Sequence, residues 1–251
     1  MKNSQSRITA FALAGLLAAG AAMAADAPPA HDPNAKGPQG DTIDSIKQLP
    51  DFGGVWEPIN PPQSADEYKT KPPLTAAWAK RFDENKAALA AKKKIPSRDA
   101  NCVSRGVPGD MWDKDTLLEF YYSPARVTIV DTTGWVRRIY TDGRDHADLV
   151  ETFQGDSIGH WENGTLMIDT DSLDYNNEFI SGLNQGRDSH VTEKVFLKDP
   201  NTLEIDTVME ASQALTAPYK HTQLYRRHKD WMQTEYDCVF NNKDKNHTIV
   251  R

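Results

Sequence analysis

Asp142-Gly143-Arg144-Asp145-His146 concentrates an acid, a guanidinium and an imidazole within one turn, directly after a strand-like run. An imidazole with an ordinary pKa of about 6.5 gives or takes a proton at neutral pH. His146, oriented by Asp142, is therefore a candidate general acid or base. The same string also reads as an Asp-Gly turn in which Asp142 accepts backbone N–H bonds and Arg144 pairs with a carboxylate. His190 is the second candidate proton carrier, at the entrance of a strand. Glu193, three positions on, projects to the opposite face and reads as a structural partner for an arginine. Arg138 and Tyr140 share a strand face and are suited to bind or polarise a ligand oxygen, one through its forked donors and the other as a neutral acid. Arg126 and Tyr121 could join them from the neighbouring strand. His160, His221 and Tyr225 complete the candidate binding set, with ordinary surface pairing or core packing as the alternative for each. Asp169 and Asp171 share a face, which makes a hard-cation site conceivable. A D-x-D spacing without a glycine loop or a further acidic cluster is a weak signal, and no metal is assigned.

Other chemistries leave no trace. The chain has no G-x-S-x-G elbow, no H-E-x-x-H, no S-x-x-K and no cysteine-nucleophile signature. It also lacks G-x-G-x-x-G and the phosphate loop, so no organic cofactor is expected. Lys and Arg number 29 against 36 Asp and Glu, for a formal charge of -7 over 251 residues. That balance offers no electrostatic footprint for nucleic acid or an anionic lipid surface. The expected partner is a small organic molecule, and oligomeric state is left open.

The elements that must carry these residues are strands. Arg126–Val130, Val136–Thr141, Ser157–Trp161, Thr165–Thr170, Val191–Leu197, Thr202–Glu210 and His221–Arg227 mix β-branched, aromatic and alternating polar residues. Asn163-Gly164 is a type I′ hairpin signal, and 198–201 is a second tight connection. One helix is expected from about Leu74 to Lys93, with Thr75 as N-cap and Leu74, Trp78, Phe82 and Leu89 along one stripe. A meander without intervening helices indicates a mainly β, antiparallel barrel and excludes a doubly wound nucleotide fold. Polar residues on both strand faces suggest an interior partly lined with Arg, Tyr and His, as in barrels that enclose a ligand; a solvated open sheet is the alternative. Gly53-Gly54-Val55-Trp56 looks like the opening of lipocalin-like barrels, in which the Trp closes one end.

Three longer strings carry a more specific likeness: Val136 to Arg144, Gly155 to Leu166, and His190-Val191-Thr192-Glu193. In this order they resemble a large, uncharacterised family of exported bacterial proteins bearing RRIYxDGRxH, GxSxGxWEGDTLVVDT and LHVxER. The likeness spans about Pro50 to Asn242 and implies an exported, β-rich single domain, without implying a particular reaction. This chain departs from the pattern at Gln185, where relatives carry a histidine, and Tyr175–Glu178 only loosely echo an aromatic and acidic pair. Specificity is accordingly expected in the loop 171–189.

Lys2 and Arg7, the apolar run Ile8 to Gly20 and Ala22-Met23-Ala24 form a cleavable export signal over 1–24. A periplasmic or secreted protein with no membrane span follows. Residues 25–50 read as a flexible leader, 51–242 as the domain and 243–251 as a tail. In an oxidising compartment, Cys102 and Cys238 are expected to form one disulfide; the alternatives are two buried free thiols or a metal site, which the lack of C-x-x-C spacing makes a poor fit. The function expected is cofactor-free proton transfer of the lyase, isomerase or hydratase type on a small apolar or aromatic substrate. In this reading His146 or His190 moves the proton, while Arg138 and Tyr140 stabilise an oxyanion. A non-catalytic carrier or sensor with the same pocket, and an envelope-interaction protein with a filled barrel, are the alternatives.

Overall fold

Alternation along Thr202–Glu210 places Leu203, Ile205, Thr207 and Met209 in the core and the intervening residues toward solvent, the pattern of a half-buried strand. The same logic repeats around a closed ring in a computed structural model, which describes residues 37–59, 67–98, 101–147 and 150–234. In chain order the ring strands are β1 (Val55–Pro58), β2 (Leu118–Ser123), β3 (Arg126–Asp131), β4 (Val136–Tyr140), β5 (Asp156–Glu162), β6 (Thr165–Asp171), β9 (His190–Asp199), β10 (Thr202–Glu210) and β11 (Tyr219–His228). They close in the order β1-β11-β10-β9-β6-β5-β4-β3-β2. β7 (Glu178–Ile180) and β8 (Leu183–Asn184) form a separate two-stranded sheet.

The expected barrel is thus observed, but it is mixed rather than wholly antiparallel. A closed ring of nine strands cannot alternate direction throughout, and the one parallel pair is β4–β5, joined through Ile139↔Ser157 and Tyr140↔Ile158. Above that short pairing the flank of β5 is met by a side chain. Gln39 donates from Nε2 to the Trp161 carbonyl at 2.9 Å and accepts from the Trp161 N–H at 2.8 Å. Residues 37–50, which composition assigned to the leader, therefore include an ordered contact to the barrel and a helical turn, α1 (Ile43–Ile46), capped by Thr42. The Asn163-Gly164 hairpin is as expected, with both residues at positive φ, 48° and 82°, as a type I′ turn requires.

The expected helix is α2 (Ala76–Ala90), with Thr75 at its N-cap. The Thr75 hydroxyl does not cap it; it donates to the Gln213 carbonyl at 2.8 Å. Phe82 is buried and Trp78 packs on the core, but Leu89 is exposed. The short α3 (Gly109–Trp112) lies against the barrel interior, with its Met111 carbonyl accepting a bond from the Tyr225 hydroxyl. Phe52, Phe120, Tyr122 and Trp161 pack as an aromatic cluster with ring centres 5.3–6.1 Å apart. Trp56 is fully buried beneath the Arg227 guanidinium, 4.6 Å from its ring. Among the described residues no helix is long and apolar enough to cross a membrane.

Gly159 shows how tightly β5 is seated. A Cβ there would come within 2.6 Å of the Met167 carbonyl oxygen and 3.0 Å of Ile139 Cγ2. Gly159→Ala is expected to destabilise the protein by about 1–3 kcal/mol, the range for overpacking. Chemical denaturation would check this, and a variant as stable as the parent would show that β5 is free to shift.

Candidate active site on the outer face of the barrel

Side-chain parity decides where each candidate residue points. Thr170 bonds the buried Arg137, so the even positions Leu166, Ile168 and Thr170 of β6 face inward, while Met167, Asp169 and Asp171 face outward. On β9 the inward residue is Glu193 and the outward one is His190, as their spacing implied. Glu193 pairs with Arg137, which also donates to Ser157 and Thr170, so its assignment as an arginine's partner holds.

On the outer face, strands β5, β6, β9 and β10 bring together Asp156, Asp169, Asp171, His190 and Glu210, and the link 141–155 adds His146. Asp169 Oδ1 meets His146 Nε2 at 2.7 Å and His190 Nε2 at 3.0 Å. One carboxylate oxygen therefore holds two imidazoles. His146 Nδ1 faces Asp156 Oδ2 at 3.2 Å and Asp171 Oδ1 at 3.5 Å, and Asp156 Oδ2 also accepts the Ala147 N–H at 2.9 Å. His190 turns its Nδ1 toward Glu210 Oε2, 3.8 Å away. Asp156 and Asp169 are buried, whereas the His190 side chain is 33% exposed and accessible to a reactant.

The electrostatics follow from this sharing. Burial acts to raise the Asp169 carboxyl, but the bonds and charges of His190 and His146 outweigh it and hold the pKa below its ordinary value. The bond to Asp169 raises the His190 imidazole above its usual 6.5 against the effect of burial, with Glu210 and Asp171 adding to the rise.

Several sequence-derived assignments are corrected by these positions. Asp142 does not orient His146; it forms a forked pair with Arg144 at 2.6 and 2.8 Å, the turn alternative noted above. Asp156 and Asp169 take that role. Arg138 and Tyr140 do share a face, but it is the outer one. Arg138 is exposed and Tyr140 lies under the Arg144 guanidinium at 3.9 Å, because the inward residues of β4 are Arg137 and Ile139. Tyr121 is half exposed and bonded to Glu119, and Arg126 bonds Ser123. His160 is buried on the outer face with Nε2 on Glu162 at 2.9 Å. His221 and Tyr225 face the interior, where Tyr225 is committed to Met111 and His221 packs 4.6 Å from the Trp112 ring. The outer and inner sets therefore do not form one site. The expected specificity loop at 171–189 holds the β7–β8 hairpin, whose residues Phe179, Ile180 and Leu183 are buried. Cys102 is half-buried; its expected partner Cys238, the export signal at 1–24 and the tail at 243–251 lie outside the described residues.

Asp156 and Glu210 were not singled out in the sequence, although the hairpin register contained the signal for Asp156. No family model and no curated protein matches the chain, so the likeness to the exported family remains a resemblance and the closed nine-stranded barrel is the part of it that the structure bears out.

Proposed function

We propose that this is an exported enzyme that carries out cofactor-free proton transfer, of the lyase, isomerase or hydratase type, on a small organic substrate. His190 acts as the general base or acid. The observation that supports this is the Asp169–His190 pair: a buried carboxylate fixes one imidazole nitrogen and leaves the other beside Glu210 at an open position. That division of labour, in which a buried acid orients an imidazole whose far nitrogen meets the substrate, serves general acid–base catalysis. His146 shares the same oxygen and fixes Asp169 from its other side. The acidic surroundings favour a neutral or cationic substrate over an anionic one.

A carrier of a polar ligand inside the barrel is the second reading, favoured by a separate observation. Arg137 Nη1, His221 Nε2 and Gln223 Oε1 are buried without a hydrogen-bond partner, and buried polar atoms are normally satisfied by protein, water or ligand.

The two readings separate in a mass-spectrometric turnover screen of the mature protein against small organic compounds with acidic C–H or O–H groups. His190→Ala is expected to lose about 10²–10⁴-fold in kcat with little change in KM, the usual weight of a positioned acid or base. Product formation unaffected by His190→Ala would overturn the assignment. Retention of an unchanged compound by both proteins would establish the carrier.

A further inference from the structure

The two imidazoles of the site differ in what their second nitrogen meets. His146 gives Nε2 to Asp169 and turns Nδ1 toward two carboxylates that are themselves neighbours, since Asp156 and Asp171 are direct cross-strand partners in the β5–β6 hairpin. Like charges opposite one another on one sheet face repel. Asp171 Oδ1 is shielded from solvent and has no hydrogen-bond partner, although the Asp171 side chain as a whole is 39% exposed. With the Nε2 proton given to Asp169, Nδ1 and the two carboxylate oxygens are three converging acceptors, all within 4.8 Å of one another. Such a trio is complementary to a cation.

The spacing suits a metal ion. A tetrahedral ion with ligand bonds of about 2.0–2.1 Å holds adjacent ligand atoms about 3.3 Å apart. The observed Nδ1–oxygen separations of 3.2 and 3.5 Å bracket that value. We propose that His146, Asp156 and Asp171 bind a divalent transition-metal ion of the zinc type. Asp169 fixes the His146 ring through its far nitrogen, the arrangement by which metal-bound imidazoles are commonly oriented. The exposed side of Asp171 leaves a position for solvent. An imidazole ligand selects a zinc-type ion over calcium or magnesium, which prefer all-oxygen sites. The proposal stands independently of catalysis by His190, which bonds none of the three proposed ligands and meets them through Asp169.

The test uses the mature chain after dialysis against EDTA, its fold verified by circular dichroism, titrated calorimetrically with ZnCl2. One ion per chain is expected, with a melting temperature raised by Zn2+ and not by Ca2+. Asp171→Asn is expected to weaken Zn2+ binding by more than about 100-fold and Asp169→Asn by about 10–100-fold, while Glu162→Gln, on the same face beside His160, leaves it unchanged. A Co2+ spectrum of the parent protein, showing four- or five-coordinate nitrogen and oxygen ligation, tests the site even if Asp171→Asn fails to fold. Folded apoprotein that binds no Zn2+ would overturn the proposal. Equal stabilisation by Ca2+, or unchanged binding in folded Asp171→Asn, would also overturn it. Because Asp171→Asn leaves the Asp169–His190 bond in place, loss of metal and loss of proton transfer are read separately.

Discussion

Glu193→Gln is expected to destabilise the protein by about 3–5 kcal/mol, among the largest effects available to a single near-isosteric change in this chain. Arg137 on β4 and Glu193 on β9, three strands on in the ring, have side chains only 1% exposed inside the barrel. Removing the carboxylate's charge leaves a guanidinium in a low-dielectric interior with only the Ser157 and Thr170 hydroxyls as named partners. The loss comes from an uncompensated charge rather than from a missing contact, and this supplies a second arm. Replacing both partners together, Arg137→Met with Glu193→Leu, is expected to cost less than Glu193→Gln alone, because no buried charge remains. Urea unfolding of the three proteins would check both statements. A Glu193→Gln variant within 1 kcal/mol of the parent would mean that water reaches Arg137.

His221 should set much of the acid sensitivity. Burial pushes its pKa down to about 4, against smaller upward effects of the neighbouring Gln223 amide and the Glu67 charge. In the unfolded chain the imidazole titrates near its ordinary value of about 6.5. Between those pH values the unfolded state binds a proton that the folded state refuses, so stability falls as pH falls through this window and is fully retained above it. The difference corresponds to about 3 kcal/mol by pH 4, at about 1.4 kcal/mol per pKa unit. His221→Gln removes the titrating group, so its pH–stability curve should lose that much of the parent's decline between pH 7 and 4. Denaturation midpoints at five or six pH values would show it, and parallel curves for parent and variant would refute it.

The barrel was legible because its strands obey a period of two and its key hairpin carries Asn163-Gly164. That turn also fixes the register, pairing Glu162 with Thr165 and, six steps on, Asp156 with Asp171. The register set by that turn puts Asp156 on the same face as Asp169 and Asp171. What the sequence could not reveal is which face of β4 looks inward. Arg137-Arg138 offers an arginine to each face, and the choice depends on Ser157, Thr170 and Glu193, which the ring places on the three successive strands beside β4 although they lie 20 to 56 residues away in sequence. The expectation that Arg138 and Tyr140 line a pocket failed for that reason. The role given to Asp142 failed for a local one: Arg144, two residues away, captures its carboxylate before any long-range partner can.

The ring has two narrow seams, each of two residue pairs: β4–β5, and β1–β2 through Val55↔Glu119 and Trp56↔Leu118. Mechanically the barrel is therefore a six-stranded arc, β5-β6-β9-β10-β11-β1, shut by a three-stranded flap, β2-β3-β4. Arg137 rides on the flap, and all three of its named partners, Ser157, Thr170 and Glu193, belong to the arc. The buried ion pair thus works as a latch, with Gln39 as a clasp on the outer edge of the same seam. Sub-global opening follows the weakest boundary between well-bonded units, so the flap is the door through which solvent or a ligand would reach the unpartnered polar atoms of the interior.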